Sequence, residues 1–407
     1  MNIPLHSSKG LECSMKDNTT KLLGLEDAIV KNVYEDAGKC HIELELPRRK
    51  HKCPCCGAST DRIHDYRMQT IKDLPVSGKD TYLHLRKRRY ICESCGKRFY
   101  EDNSFLPRYY RVTSRTVATI IDRFRSAVSA TDVARENNIS VSTALRYFDL
   151  VDYRCHHLPE VLSIDEFKGN AGGEKFQTIL ADADKQRVID ILPNRKSADL
   201  IRYFLKYPRK ERLKVKYVVM DMSSLFRGVV RACFPHAVII ADRYHVVRQA
   251  VWAMENVRKN VQKKLSPKWR KFFKRSRYLL NKNPRKMTDE ERDSLRVLLG
   301  ISSELEYAYE LKNQFIELMH APNSAIGRKR IAEWVYLAET ADLPEFNACT
   351  KAVHNWSDEI LASFDFRYTN GFTEGCNNKT KVLKRVCFGV RNFDRFRNRI
   401  LHCAART

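Results

Sequence analysis

The stretch from Val161 to about residue 250 constrains the fold most, because its apolar runs come in an order that few architectures accept. VLSIDEF, KFQTILADADKQ and RVIDILPNR are short, rich in β-branched residues and closely spaced, so they read as three strands. SADLIRYFLKY carries its apolar residues at helical spacing. VKYVVMDMSS and AVIIADRYH read as two more strands, each followed by a helix. Three consecutive strands form an antiparallel meander. Two later strands, each reached through a helix, add in parallel by crossover connections.

That is the element order of an α/β, ribonuclease-H-like core. In it the first strand is central and the fourth lies beside it, which gives two carboxylates a shared edge. Asp165 sits near the end of the first strand, and Asp221 ends the fourth. Two such groups cannot both stay ionised at close range without a cation. A pair of Mg²⁺ (or Mn²⁺) ions, about 3.5–4 Å apart, would relieve the repulsion and support in-line phosphodiester chemistry.

A third ligand is expected from a later helix, and Glu374 in TNGFTEGCNNKTKVLKRVCFGVRNFDRFRNRI fits. Asn370 or Thr373 is expected to cap that helix. Asn378, Lys381 and Arg385 share the face of Glu374 at helical spacing, where they would track a phosphate backbone. Each carboxylate alone has a plainer explanation, as a turn residue or a partner of a helix dipole. Their combination in fold order points to metal. Asp242 and His245, at the end of the fifth strand, are expected to support the site, with Asp242 as the alternative ligand. Glu166 is expected to point away from Asp165, because successive strand residues alternate sides.

Charge names the partner class. Lys and Arg number 74 against 49 Asp and Glu, a net charge of +25, and the pI is near 9.6. Such a chain is drawn to polyanions, nucleic acid first. An anionic membrane is the other candidate, but no apolar run approaches the roughly 20 residues that span a bilayer. The first residues lack the basic and apolar regions of a secretory signal, so a cytoplasmic location is expected. Eight of the 13 cysteines are scattered singly, which suits a reducing compartment better than a disulfide framework.

Cys53-Pro-Cys55-Cys56-Gly and Cys92-Glu-Ser-Cys95-Gly form two C-x-x-C pairs. Cys53, Cys56, Cys92 and Cys95 are expected to hold one structural Zn²⁺ in a ribbon with basic strands. Cys55 is a spare that could replace Cys53, and His51 or His64 could enter the shell. Downstream, a helix over Ser114–Ser126 precedes SATDVARENNISVSTALRYFDL, which reads as a helix-turn-helix. Val133, Ala134, Ile139, Val141 and Leu145 are expected to be buried between its helices. Ser142, Thr143 and Arg146 are left to meet a DNA major groove. The segment VRKNVQKKLSPKWRKFFKRSRYLLNKNPRK carries a cation on almost every turn, and Trp252, Trp269, Trp334 and Trp356 fall in or near this helical region. Its charge predicts a DNA clamp, whereas each tryptophan by itself is as readily explained by a helical core.

CPCCG, the stretch from Arg62 to Phe99, SIDEFKG, VVMDMSSLFRGVVRACFPHAVIIADRYHVVR and the segment around Glu374 together resemble bacterial insertion-sequence transposases of the ISL-three group. The resemblance runs from Cys53 to the C-terminus. It implies a zinc-binding module, a helix-turn-helix and an Asp-Asp-Glu catalytic core interrupted by a helical insertion. It maps the catalytic aspartates to Asp165 and Asp221, the glutamate to Glu374, and a D-x-x-H pattern to Asp242 and His245. It further implies action on the terminal inverted repeats of double-stranded DNA and on target DNA, by a homo-oligomer assembled there. The expected division is residues 1–46 without an assigned role, 47–105 ribbon, 106–155 helix-turn-helix, 156–250 first part of the core, 251–366 insertion and 367–407 the closing helix of the core. Two rivals share parts of this pattern: a structure-specific nuclease of the same fold, and a DNA-binding regulator with an inert core.

Overall fold

The computed structural model describes Thr20 and residues 23–25, 27–387 and 389–405. It divides into two compact units, Met1–Asp152 and Tyr153–Thr407.

The first unit opens with a hairpin of β1 (Ile29–Asp36) and β2 (Lys39–Glu45). Its turn residues Ala37 and Gly38 have φ of 47° and 73°, the left-handed pair whose twist suits a tight hairpin. β2 pairs in parallel with β4 (Lys79–Ile91), which pairs antiparallel with β3 (Ile63–Val76) and β5 (Arg98–Tyr100). The hairpin expected within residues 1–46 therefore extends the same sheet as the basic strands. Ile42, Leu44, Ile71, Leu83 and Leu85 alternate along their strands and close one core with Phe105 and Leu106.

Three helices follow: α1 (Ser114–Arg123), α2 (Ala130–Glu136) and α3 (Val141–Phe148). Thr113, Ser129 and Ser140 each accept a backbone N–H from the first turn, which fixes where the helices begin. The buried face of α3 differs from the expectation. Ala144, Tyr147 and Phe148 are buried against Ile120, Phe124 and Val133, while Val141 is exposed and Leu145 half-buried. The large rings of Tyr147 and Phe148 set the phase, which turns Val141, the first helical residue, outward. Asp73 on β3 ties α1 to the sheet, accepting from Thr113 Oγ1 at 2.6 Å and Arg115 Nε at 2.9 Å.

The second unit is built on a five-stranded sheet. β6 (Val161–Phe167), β7 (Gln177–Asp182) and β8 (Arg187–Leu192) form the antiparallel meander. After α4 (Ser197–Leu205), β9 (Tyr217–Met220) joins β6 in parallel. After α5 (Ser224–Cys233), β10 (Val238–Ala241) joins β9 in parallel. The order is β8-β7-β6-β9-β10, with β6 central. Leu162, Ile164, Val218, Met220, Ile239 and Ala241 point to one face and share a core with Leu200, Phe204, Phe226 and Val230. Val161, Val219 and Ile240 line the other face.

α6 (Arg243–Lys263) begins directly after β10. Six further helices follow: α7 (Pro267–Asn281), α8 (Asp289–Leu299), α9 (Ser303–Leu318), α10 (Ser324–Thr340), α11 (Asn347–Asn355) and α12 (Ser357–Asp365). The tryptophans divide between two roles. Trp334 is buried with its Nε1 donating to the Leu311 carbonyl at 2.8 Å, and Trp356 is buried under the Arg227 guanidinium. Trp252 and Trp269 are exposed. The chain then returns to the sheet as α13 (Gly371–Val386) and ends in α14 (Phe393–Ala404). Among the described residues no helix is long and apolar enough to cross a membrane.

Candidate active site and metal centres

Strand register builds the site. Met220 stands opposite Ile164 on one side and Ala241 on the other. The next residues, Asp165, Asp221 and Asp242, therefore form one row across three neighbouring strands, and the Asp242 N–H donates to the Met220 carbonyl at 2.9 Å. Strand neighbours lie about 4.8 Å apart, so the three carboxylates are neighbours by construction. They share the face opposite the Ile164–Met220 core, the side taken by α13. Ser163 fixes that helix: its hydroxyl donates to Asn370 Oδ1 at 2.8 Å and lies 2.6 Å from Thr373 Oγ1. Asn370 occupies the N-cap position, but its side chain serves this tie and makes no capping bond.

α13 delivers Glu374 to the row. A carboxylate oxygen of Glu374, one of Asp242 and a ring nitrogen of His245 lie within 4.8 Å of one another. His245 Nε2 faces Glu374 Oε1 at 3.4 Å, and Arg248 Nη2 meets His245 Nδ1 at 3.0 Å. Arginine has no lone pair to offer, so Nδ1 accepts and the ring proton sits on Nε2, toward Glu374. In that tautomer the protonated nitrogen is the one that faces the glutamate, at a distance short of a formed hydrogen bond. One turn on from Glu374, Asn377 donates from Nδ2 to Asp165 Oδ2 at 2.8 Å.

The electrostatics describe a site built for a cation. Burial pushes the Asp165 carboxyl up to about 7 against the pull of the Glu166 N–H, with the charges of Asp221, Glu374 and Glu166 adding to the rise. Burial also raises Asp221, although Arg248 and Arg195 oppose it. Asp242 is raised by burial, with the Asn370 N–H opposing and the charges of Glu374 and Asp221 adding. Asp221 Oδ1 and Asn377 Oδ1 are buried without a hydrogen-bond partner among the described residues. Lone acceptors of this kind are costly unless a donor or cation meets them, so the residues present fit a divalent metal.

A second centre lies in the first unit. The thiol sulfurs of Cys53, Cys56, Cys92 and Cys95 all lie within 4.8 Å of one another. Cys53 to Cys95 and Cys56 to Cys92 are each 3.5 Å. A tetrahedral zinc with four thiolates needs sulfurs about 3.8 Å apart, so the cluster fits that ion. Gly57 and Gly96, with φ of 75° and 69°, close the two knuckles in a conformation that a side chain would strain. Cys55 is exposed beside the cluster, and His64 Nδ1 lies 3.1 Å from Asp65 Oδ2.

Comparison with known proteins decides the family. The family model described as "Transposase", for the ISL3 (ISL-three) group, matches residues 162–400. The chain belongs to this transposase family. A second family model, the zinc-finger of transposase IS204/IS1001/IS1096/IS1165, matches residues 49–95 and so brackets the four-cysteine cluster of this transposase. The chain is 26% identical over 373 residues to the transposase for insertion sequence element IS1001 of Bordetella parapertussis, covering 89% of this chain and 91% of that one. It is 23% identical over 307 residues to the transposase for insertion sequence element IS1557 of Mycobacterium tuberculosis, covering 69% of this chain and 64% of the relative.

The remaining expected residues of the transposase are on helix surfaces. Ser142 and Arg146 are exposed on α3, and Thr143 is half-buried. The Ser140 hydroxyl lies 2.9 Å from both Ser142 Oγ and Thr143 Oγ1, so these two side chains also serve the helix start. Arg146 lies over the Tyr147 ring. Asn378, Lys381 and Arg385 are exposed along α13, with Lys381 Nζ 3.2 Å from Asn378 Oδ1. Asn377, Ser163 and Arg195 were not foreseen. The Glu166 carboxylate is held by Arg195 at 2.7 Å, and its charge adds to the rise of both Asp165 and Asp221.

Proposed function

We infer that this transposase cleaves and rejoins DNA with a ribonuclease-H-like core in which Asp165, Asp221 and Glu374 hold two Mg²⁺ or Mn²⁺ ions. The observation that carries the reading is the row of aspartates, Asp165 and Asp242 buried and Asp221 half-buried, whose Asp242 end meets Glu374, with a partnerless buried oxygen on Asp221. Bound there, such ions activate an attacking water or 3′-hydroxyl and stabilise the leaving oxygen of an in-line displacement. The protein's own groups do the positioning. Asn377 orients Asp165, the Ser163 tie seats α13, and His245 faces Glu374 while Arg248 fixes its ring. Asp242 sits in the same row, and its closeness to Glu374 makes it the specific alternative to Asp221 as a ligand.

The remaining parts take roles by chemistry. Residues 47–105 form a ribbon around one structural Zn²⁺, which makes no step of the reaction because four thiolates leave no open position. Residues 106–155 act as a helix-turn-helix, with Ser142, Thr143 and Arg146 toward the major groove of the terminal inverted repeats. Residues 156–250 and 367–407 form the core, and Asn378, Lys381 and Arg385 follow the phosphate backbone. The basic insertion, residues 251–366, clamps the DNA, and the working form is a homo-oligomer on its ends.

The test is strand cleavage of a DNA fragment ending in the inverted repeat that flanks the gene. The protein is compared with Asp165→Ala, Asp221→Ala, Asp242→Ala and Glu374→Ala. Nicking at the repeat tip that needs divalent metal and all of Asp165, Asp221 and Glu374 is expected. Full cutting by Asp221→Ala with none by Asp242→Ala would move the second ligand to Asp242. Tight binding of the repeat without cleavage by any form would support the inert-regulator reading instead.

A further inference from the structure

α6 begins at the catalytic row and leads away from it, and its exposed residues form a pattern unlike an ordinary solvated face. Tyr244, Arg248 and Trp252 are spaced four residues apart, so they stack along one side of the helix over about 12 Å. Trp252 is 50% exposed and Tyr244 60% exposed. The Arg248 guanidinium lies between them, 4.5 Å from the Trp252 ring centre and 5.8 Å from that of Tyr244. No carboxylate pairs with Arg248 among the described residues, and its Nε is buried without a partner. The guanidinium is held instead by the two rings and by His245, whose other nitrogen faces Glu374.

We propose that Tyr244, Arg248 and Trp252 form a platform on which an unpaired nucleobase stacks beside the scissile phosphate. The inference rests on the catalytic reading above, and it specifies the form of the DNA: a strand locally freed from its duplex. Three features argue for a base over a phosphate contact alone. Arg248 lies over the Trp252 ring, which stays half exposed, and duplex DNA cannot stack its bases on an exposed ring while they are paired. An unpaired base presents a matching π-face of any sequence. Arg248 supplies an unpaired positive charge on the route to the carboxylates, suited to the backbone of that same nucleotide. A purely structural tryptophan would be buried, as Trp334 and Trp356 are.

The experiment compares the full chain with Trp252→Ala and Trp252→Phe in chelator, so that no strand is cut. The probes are a blunt fluorescein-labelled duplex and the same duplex carrying a short single-stranded thymidine overhang. The wild type is expected to prefer the overhang. Trp252→Ala should lose about tenfold or more in overhang affinity with blunt-duplex affinity kept, and Trp252→Phe should retain most of the preference. Overhang DNA should also quench tryptophan emission in the wild type, and Trp252→Phe should lose that quenching. Equal weakening of both probes by Trp252→Ala, or no overhang preference in the wild type, would overturn the platform. Metal-dependent cleavage is read separately. A chain that never cuts but keeps a Trp252-dependent preference would refute the catalytic reading alone. One that cuts normally without the preference would refute only the platform.

Discussion

Asp165 concentrates the physical tension of the site. Its carboxyl titrates near 7 when no cation is present, against an ordinary 3.8, so between those values the folded chain binds a proton that the unfolded chain releases. Stability of the metal-free protein should therefore fall as pH rises from about 4 through 7. Asp165→Asn removes that charge, and its melting at pH 8 should exceed that of the metal-free wild type by roughly 2–4 kcal/mol in unfolding free energy. An unchanged or lowered stability at pH 8 would show that the carboxylate is not strained there. Asn377 is the second residue to probe. Groups that orient metal ligands typically contribute about 10–100-fold in activity or metal affinity, and Asn377→Ala should slow cleavage by that factor while DNA affinity stays level. The places of Asp165, Asp221, Asp242, His245 and Glu374 were legible in the sequence, because strand ends and helix starts announce themselves in residue pattern. Asn377 and Ser163 were not, since an amide and a hydroxyl gain meaning only when α13 docks on β6. Glu166 contributes by charge alone: its carboxylate, paired with Arg195, adds to the rise of Asp221.

At the scale of elements, β-branched runs foretold all five strands of the second unit, and the Val141–Phe148 bounds of α3 were legible, whereas the Ser129 cap that starts α2 was not. The packing phase of α3 escaped, because Val141 and Leu145 look like core residues until the two rings at Tyr147 and Phe148 claim that face. The link between β3 and α1 also lay beyond periodicity. Asp73 is fully buried, and although burial raises its pKa, the Arg115 and Thr113 hydrogen bonds outweigh that and hold it below the usual range. The stabilisation is therefore present above the ordinary carboxylate pKa and lost as pH falls through the lowered one. Asp73→Ala leaves Arg115 without its partner and should destabilise the first unit by about 3 kcal/mol in chemical denaturation. A change under about 0.5 kcal/mol would mean that the pair contributes nothing net.

At the scale of the whole molecule, the chain is two units with separate cores, and only the first contains the four-cysteine cluster. Removing zinc with a strong chelator, or substituting Cys92→Ser, should lower the melting of the first unit and leave the transition of the second in place. Metal analysis should return one zinc per chain for the wild type. A single transition unmoved by chelation would contradict a structural zinc. Net charge and family membership agree on DNA as the partner, and the catalytic claim rests on which side chains hold the metal. The most direct test exchanges a hard ligand for a soft one. Asp165→Cys, Asp221→Cys, Asp242→Cys and Glu374→Cys are assayed for repeat-end cleavage in Mg²⁺ and in thiophilic Mn²⁺. The account predicts that cysteine at 165, 221 and 374 abolishes cleavage in Mg²⁺ and that Mn²⁺ restores a measurable part of it, with no such rescue at 242. Rescue at 242 in place of 221, or equal activity of the variants in both metals, would contradict it.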